Sequence, residues 1–317
     1  MAFQMVQDNR RRLHPYQKTV IGIYGKETGA LPRIACGIKW HSKQTWPASN
    51  ASSMIDPFSK WLHRGAGQHG PVMLMYHAVT KGNGVPPWPW AISMQQFREQ
   101  LDFLAAEGYA TPTMGELVSI PAKKWTGRTA VITFDDGYID NLAACEELQK
   151  RGMRASWFIV TGSVGKAPQW SAEGRPAERL LNAAELRGMQ ESGMEIGSHT
   201  VNHVRLTEVD DARLAQELSD SRTELEEMLG NAVNSFAYPY GAWDARCSLA
   251  VKQAGYTSAC TTRTGWALRD CDPYRLRRLT VFNHDTLGSF ARKLYFGSHD
   301  VRWRDIAAYA FRRMKKI

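Results

Sequence analysis

The stretch AVITFDDG, at residues 130–137, decides how the fold of this chain is interpreted. Its first five residues, Ala130 to Phe134, are apolar or β-branched without interruption, which predicts a short strand that is buried on both faces. Two carboxylates and a glycine follow at once, at Asp135, Asp136 and Gly137. Such residues favour a turn, so they mark the carboxyl end of the strand.

Similar apolar runs recur along the chain and alternate with helical patterns. The strand-like runs cover residues 72–76, 130–134, 155–160, 194–198, 235–238 and 256–261. The helical runs cover residues 94–104, 141–151, 182–192, 207–229, 248–254 and 286–296. This alternation predicts βα units and a mainly parallel sheet. Roughly six units in about 220 residues favour an α/β fold that is a distorted (β/α) barrel of about seven strands.

Charge divides the 317-residue chain into three parts. The net charge is +9 and most of it lies in residues 1–53 and 300–317. We therefore expect a basic, irregular extension over residues 1–70, a barrel over 71–300 and a basic C-terminal helix over 301–317. Basic ends suggest contact with an anionic membrane surface or an acidic glycan, and solvated ends without a partner are the alternative. No interleaving of basic and aromatic residues indicates nucleic acid.

Targeting signals and cysteines give weaker information. No apolar run of about 18 residues predicts a membrane span, and the N-terminal residues lack the pattern of a signal peptide. We therefore expect a cytoplasmic protein, or one peripheral to the inner face of the membrane. The five cysteines form no C-x-x-C pair, which argues against both a disulfide scaffold and a cysteine-ligated zinc.

Polar residues follow several predicted strands, at the end where barrel enzymes keep their active sites. His77 follows the first run, Asp135 and Asp136 follow the second, and His199 follows a later one. Adjacent residues of an extended chain point in different directions, so one carboxylate can bind a metal while the other handles a proton. A plain Asp-Asp-Gly turn is the alternative.

His199 and His203 are four residues apart, so they would share one face of a helical turn. Together with an aspartate they would form a three-ligand metal site that leaves positions open for water and substrate. Two incidental surface histidines are the alternative. His77 and His284 are both candidate proton donors, and sequence spacing leaves both open.

Two of these motifs resemble the NodB-homology polysaccharide deacetylases, carbohydrate esterase family 4. TFDDG at 133–137 is similar to the first motif of the family, and SHTVNH at 198–203 to the second. The resemblance, over about residues 71–296, implies a hydrolase that removes N-acetyl groups from an amino-sugar polysaccharide or glycan precursor. It implies that Asp135 is the general base, and that Asp136, His199 and His203 bind a divalent metal, with Zn²⁺ expected.

Two departures from the family pattern concern the other catalytic groups. The run Met73–His77 resembles the subgroup acting on poly-N-acetylglucosamine, in which a late motif has moved to the front. That resemblance implies His77, rather than His284, as the general acid. In the third motif Ala237 stands where many members have arginine. The arginine-rich stretch of Arg275, Arg277 and Arg278 is the expected source of a substitute, with Arg275 and Arg277 as the preferred candidates.

The resemblance also suggests how substrate is bound. The backbone N–H of Tyr240 is expected to stabilise the oxyanion, because the preceding Pro239 has no N–H. Tyr138, Tyr240, Trp243 and Trp170 are candidates to stack on sugar rings, and burial in the core is the alternative for each of them. Two other functions stay open at this point. One is an amidohydrolase acting on a small non-sugar amide, and the other is a non-catalytic carbohydrate-binding relative, which the missing arginine would allow.

Overall fold

The computed structural model describes residues 55–303, apart from residues 83, 122–124, 126 and 171–172. Most of the two basic ends, including nearly all of the predicted C-terminal helix, lies outside the described residues. No described helix has the length and apolar character that crossing a membrane would require.

Seven parallel strands form the central sheet of the described part of the chain. The strands are β1 (Val72–Tyr76), β2 (Ala78–Thr80), β3 (Ala91–Ser93), β4 (Ala130–Asp136), β5 (Ser156–Ile159), β6 (Glu195–Ser198), β7 (Ser235–Ala237), β8 (Ser258–Cys260) and β9 (Leu279–Thr280). Their order in the large sheet is β8-β7-β6-β5-β4-β1-β9, and β2 and β3 form a separate parallel pair. The predicted parallel sheet of about seven strands is confirmed.

The two edges of the sheet approach each other through the segment that precedes β9. The Thr261 N–H donates to the carbonyl of Leu276 at 2.9 Å, and the Leu276 N–H donates to the carbonyl of Ala259 at 3.0 Å. These bonds form a parallel bridge between Cys260 and Leu276. Because the bridge joins β8 to the approach to β9, the sheet curls into the predicted distorted (β/α) barrel type.

Helices connect the strands. They are α1 (Pro57–His63), α2 (Met94–Ala106), α3 (Met114–Ser119), α4 (Asn141–Lys150), α5 (Ala183–Glu191), α6 (Asp211–Leu229), α7 (Ala245–Gln253) and α8 (Leu287–Phe296). Most begin at a capping side chain: Ser93 accepts from the Gln96 N–H at 3.1 Å at the start of α2. The Gln96 amide does not complete a capping box, because it donates instead to the carbonyls of Phe282 and Asp285.

Strand residues alternate between the inside of the curled sheet and the surrounding helices. A small apolar cluster contains Met73, Val131, Phe158, Ala237, Cys260 and Leu276, together with Met114 and Leu117 of α3. The neighbouring strand positions belong to a separate, larger cluster that includes residues of the helices. Asp135 lies four residues after Val131 on β4, so both side chains point into the interior of the curled sheet. Asp135 is near the carboxyl end of the strand and therefore lies next to the apolar cluster at that end.

The predicted boundary at residue 70 is wrong for the part of that segment that the structure describes. Residues 57–63 form α1, which packs against α8 within the same compact unit. The buried Arg292 of α8 donates to the Ser59 hydroxyl at 2.6 Å and lies 3.3 Å from the Asp56 carboxylate. Ser59 and His63 are the buried residues of α1, so the helix has no apolar periodicity that could have predicted it.

His63 shows how this helix is held. Its ring is buried, with Nε2 2.8 Å from the Tyr109 hydroxyl and Nδ1 3.4 Å from the Glu107 carboxylate. Burial, followed by the charge of Arg128, lowers the pKa of His63 from 6.5 to about 4, although Glu107 acts in the opposite direction. The ring is therefore neutral in the folded protein at neutral pH.

We expect His63 to make folding sensitive to acid. As the pH falls below 6.5 the unfolded chain protonates this ring first, so the stability that His63 contributes is lost between pH 6.5 and about 4. His63→Gln keeps a partner for Tyr109 but does not titrate. Urea unfolding should therefore show a shallower loss of unfolding free energy over this range in the variant, by at most about 1.4 kcal/mol per pH unit. Equal slopes would contradict this assignment.

Candidate functional site

A cavity of about 470 Å³ lies at the carboxyl ends of the parallel strands. Its wall contains Trp170 and six strand-end residues that were also proposed from sequence: His77, Asp135, Asp136, His199, His203 and Tyr240. These six come from the ends of four different strands, so the curl of the sheet brings together groups that are far apart in sequence.

Asp135 is buried and forms a two-pronged ion pair with Arg278. The Nη1 and Nη2 atoms of Arg278 donate to the two carboxylate oxygens at 2.6 and 2.8 Å. Arg278 is itself fully buried, and its Nε donates to the carbonyl of Thr261 at 3.0 Å. Burial alone would raise the pKa of Asp135, but the Arg278 guanidinium holds that pKa well below its usual value. Asp135 is therefore ionised and has a fixed orientation.

The two preferred arginines of the stretch, Arg275 and Arg277, pair with other carboxylates. Arg275 forms an ion pair with Asp272 at 2.6 Å, and Arg277 binds Asp270 through two nitrogens at 2.7 and 2.8 Å. Neither of the two pairs with Asp135, so the expectation that one of them substitutes for the missing family arginine is wrong.

Strand parity explains why Arg278 takes that place. Arg278 lies two residues before Thr280, which lines the cavity, so both point to the same side of the chain. The sequence could not single out Arg278 among the three arginines, because β9 is only two residues long and has no apolar run. The pairing of β9 with β1 orients Arg278, and this pairing is a long-range contact.

Asp136 faces the same cavity as Asp135 because the backbone turns between them. Asp136 and Gly137 have φ angles of 73° and 84°, which end the alternation of the strand. The Oδ1 atom of Asp136 lies 3.6 Å from Nε2 of His199 and 3.4 Å from Nε2 of His203. This oxygen is buried and has no hydrogen-bond partner among the described residues.

These three residues fit a divalent cation. Their ligand atoms lie within 4.8 Å of one another, and one carboxylate with two imidazoles is a donor set suited to Zn²⁺. Burial, followed by the charge of Asp135, raises the pKa of Asp136 to about 8. A cation would compensate the cost of the buried Asp136 charge and would pair its unpartnered oxygen.

The segment between the two histidines is a loop, so the prediction of a helical turn is wrong. Thr200 and His203 have left-handed φ angles of 67° and 56°. The two imidazole rings nevertheless meet, with centroids 4.9 Å apart. Nδ1 of His199 lies 2.8 Å from the carbonyl of Ala237 and must donate to it, so Nε2 keeps its lone pair towards Asp136.

The structure distinguishes the two candidate proton donors. His77 lines the cavity, its ring packs edge-on against Trp88, and its Nδ1 has no hydrogen-bond partner among the described residues. Burial lowers the pKa of His77 to about 4, although the charge of Asp135 opposes that change. His284 is exposed, stacks on Phe282 and does not line this cavity.

Aromatic rings form much of the remaining wall. Trp170 lies with its ring 4.5 Å from that of His203, and Tyr240 is 45% exposed with the Arg205 guanidinium 4.2 Å above its ring. Trp88 and Trp90 also line the cavity. The PPWPW run at 86–90 could have signalled them, but it has neither strand nor helix periodicity.

Three of the expected substrate-binding residues do not line the cavity. Tyr138 is buried behind Trp88, with ring centroids 5.7 Å apart. Pro239 is buried and precedes Tyr240, whose φ is 59°. Trp243 lies beside a different cavity, under the guanidinium of Arg275 at 5.2 Å. The expectation that Tyr138 and Trp243 stack on a sugar in this cavity, and that Pro239 contacts the substrate there, is therefore wrong in this structure.

Known proteins resemble this chain in sequence and in fold. The profile of the family described as polysaccharide deacetylase matches residues 122–259. YxkH of Bacillus subtilis, whose name describes a polysaccharide deacetylase, is 29% identical over 229 residues, which are 71% of this chain and 76% of that protein. The poly-beta-1,6-N-acetyl-D-glucosamine N-deacetylase of Staphylococcus epidermidis is 25% identical over 207 residues, 61% of this chain and 69% of that one.

A solved structure extends the likeness to most of the described residues. IcaB from Ammonifex degensii is 26% identical and superposes with a TM-score of 0.61, over 72% of this chain and 97% of that one. The matched range includes Asp135, Asp136, His199 and His203 of the cavity, but not His77. Motifs, sheet topology and relatives therefore agree that this chain is similar to the polysaccharide deacetylases, the hydrolases of the NodB-homology type.

Proposed function

We propose that this chain is a metal-dependent deacetylase that removes N-acetyl groups from an amino-sugar glycan. The observation that carries the proposal is the arrangement in one cavity of an oriented, ionised Asp135 beside the cluster of Asp136, His199 and His203. His77 lies in the same cavity. A base, a ligand set and a proton donor are the three parts that hydrolysis of an amide needs.

Each of these residues has a separate task in the proposal. Asp136, His199 and His203 would hold the cation, expected to be Zn²⁺, which when bound polarises a carbonyl and makes water more acidic. The Asp135 carboxylate, oriented by Arg278, accepts the proton of the attacking water. The N–H of Tyr240 is the proposed donor to the oxyanion.

His77 is the proposed donor to the leaving amine. The resting ring is neutral because burial lowers its pKa to about 4, so it must gain its proton during the reaction. The charge of Asp135 favours protonation of His77. An amine leaves poorly unless it is protonated, so this transfer is the step for which His77 is needed.

The substrate class rests on the cavity wall and on the relatives. Trp88, Trp90, Trp170 and Tyr240 offer flat apolar surfaces of the kind that pack against sugar rings. The likeness to a poly-beta-1,6-N-acetyl-D-glucosamine N-deacetylase supports an N-acetylglucosamine polymer as substrate. Contact with an anionic membrane surface, and a location at its inner face, stay predictions that depend on residues outside the described ones.

Loss of the ligand set should remove both metal and activity. We expect Asp136→Asn and His199→Ala to bind less than a tenth of the wild-type Zn²⁺ and to release acetate at least about a hundredfold more slowly. His284→Ala is the matched control, because this exposed histidine lies outside the cavity. Metal content by mass spectrometry and acetate release from N-acetylglucosamine oligomers are the two measurements.

The same assay addresses the other functions. A wild-type protein that hydrolyses small cyclic amides but no N-acetylated oligosaccharide would support a non-sugar amidohydrolase. A protein that binds the oligosaccharide without releasing acetate would support a carbohydrate-binding relative. Either result would count against the proposed deacetylation.

Substitution of Arg278 tests the orientation of Asp135. Arg278→Lys keeps the charge but cannot bind both carboxylate oxygens, so we expect kcat for acetate release to fall about tenfold to a hundredfold. Bound metal should stay near the wild-type level. Arg277→Lys, one residue away and paired with Asp270, is the control and should keep its kcat. Similar losses in both variants would argue against the assignment.

The role of His77 can be tested with two leaving groups. His77→Ala should slow release of acetate from an N-acetylated sugar by about a hundredfold. It should affect 4-nitrophenyl acetate much less, because nitrophenolate leaves without being protonated. An equal loss on both substrates would indicate that His77 has another role.

A further inference from the structure

Five consecutive backbone N–H groups hold the loop that carries the two histidine ligands. The His199 N–H donates to the Ile159 carbonyl at 2.9 Å, and the Thr200 N–H donates to the Ser198 hydroxyl at 3.3 Å. The His203 N–H donates to the Thr200 hydroxyl at 3.0 Å. The remaining two, at residues 201 and 202, have no acceptor on their own strand or loop.

Both remaining N–H groups donate to one carboxylate of α6. Oε2 of Glu217 accepts from the Val201 N–H at 2.8 Å and from the Asn202 N–H at 2.9 Å. Oε1 accepts from the Asn202 side-chain amide at 2.8 Å and lies 2.6 Å from the Arg213 guanidinium. Glu217 is 1% exposed, so water does not substitute for these bonds.

The other side of the loop is held by the short turn of residues 161–163, which follows β5. The N–H groups of Thr161 and Gly162 donate to the carbonyls of Thr200 and Val201 at 3.1 and 2.9 Å. A Cβ atom at Gly162 would lie 2.8 Å from the Val201 oxygen, so the contact needs glycine. The loop is therefore clamped between a backbone segment that cannot move away and a buried carboxylate.

This clamp matters because the loop conformation is unfavourable by itself. Thr200 and His203 both adopt left-handed φ angles, which side-chain-bearing residues rarely take. Such a conformation persists only where the surroundings determine it. The buried Glu217 carboxylate accepts from four donor groups, so it can hold the loop in this conformation.

We propose that Glu217 is a positioning residue of the metal site, acting through the loop of residues 199–203. It touches neither metal nor substrate. It fixes the backbone between His199 and His203 so that both Nε2 atoms face Asp136 before a cation binds. The proposal rests on the proposed metal site, but it concerns metal affinity and not the identity of the substrate.

The test replaces Glu217 by glutamine in the full-length chain. In Glu217→Gln one carboxylate oxygen becomes an amide nitrogen, which cannot accept a hydrogen bond and would face either the two backbone N–H groups or the Arg213 guanidinium. Metal-free protein is titrated with Co²⁺, followed by its visible absorption, and then with Zn²⁺ in competition. We expect the Kd for Co²⁺ to rise about tenfold to a hundredfold.

The matched control is the same substitution on the same helix. Glu226 also pairs with an arginine four residues earlier and accepts a loop N–H, that of Val233 at 3.0 Å, but this loop is not the one that carries the two histidines. Glu226→Gln should therefore keep the Kd for Co²⁺ within about twofold of wild type. Thermal unfolding of both metal-free variants separates a local effect on the site from a general loss of stability.

A Glu217→Gln protein that is folded and binds Co²⁺ like wild type would overturn the proposal, and so would an equal loss in Glu226→Gln. If Glu217→Gln does not fold, Asn202→Ala decides, because it removes only the side-chain bond to Oε1. A threefold or larger rise in its Kd supports the proposal, and wild-type affinity overturns it. Co²⁺ binding without acetate release would instead count against the proposed function.

Discussion

The buried ion pair between Arg278 and Asp135 is the interaction on which the arrangement of the cavity depends. It spans the interior from β4 to the residue before β9, passing β1, which lies between those strands in the sheet. Burying two charges is costly, and the cost is offset only when geometry is good and the remaining donors are satisfied. Both conditions are met, because Arg278 also donates to the Thr261 carbonyl and the Thr133 hydroxyl. The pair therefore fixes the edge of the barrel and the Asp135 carboxylate together.

Backbone strain is concentrated around the same cavity. Among the described residues, non-glycine positive φ angles occur at Asp136, Thr200, His203, Tyr240 and Cys271, and all but Cys271 belong to the cavity wall or to the histidine loop. Each such residue costs free energy, of the order of 1–3 kcal/mol for strongly disfavoured conformations. The hydrogen bonds of the surrounding strands and helices keep these conformations, so the stability of the barrel maintains the arrangement of Asp136, His199 and His203.

The sequence predicted those parts of the molecule that depend on local pattern. Uninterrupted apolar runs gave the parallel strands, and residues directly after those runs gave His77, Asp135, Asp136 and His199, because strand ends of a parallel sheet meet at one edge. The features that the sequence did not predict depend on long-range contacts. Arg278 is oriented by the pairing of a two-residue strand, and α1 is held by polar contacts with α8. Trp88 and Trp90 lie in a segment without periodicity, so no local signal pointed to the cavity.

Ala237 and Arg278 show that the arginine that pairs with Asp135 can come from a part of the chain other than the third motif. The side chain at this position of β7 is too short to reach Asp135, and the guanidinium comes from a segment 41 residues later that enters from the opposite side of Asp135 in the strand order. Because the strands surround a common interior, a long side chain near the carboxyl end of any strand can reach Asp135, whatever its place in the sequence. A search that requires each catalytic group in its customary motif would discard this chain as inactive, whereas a search for the spatial constellation would retain it.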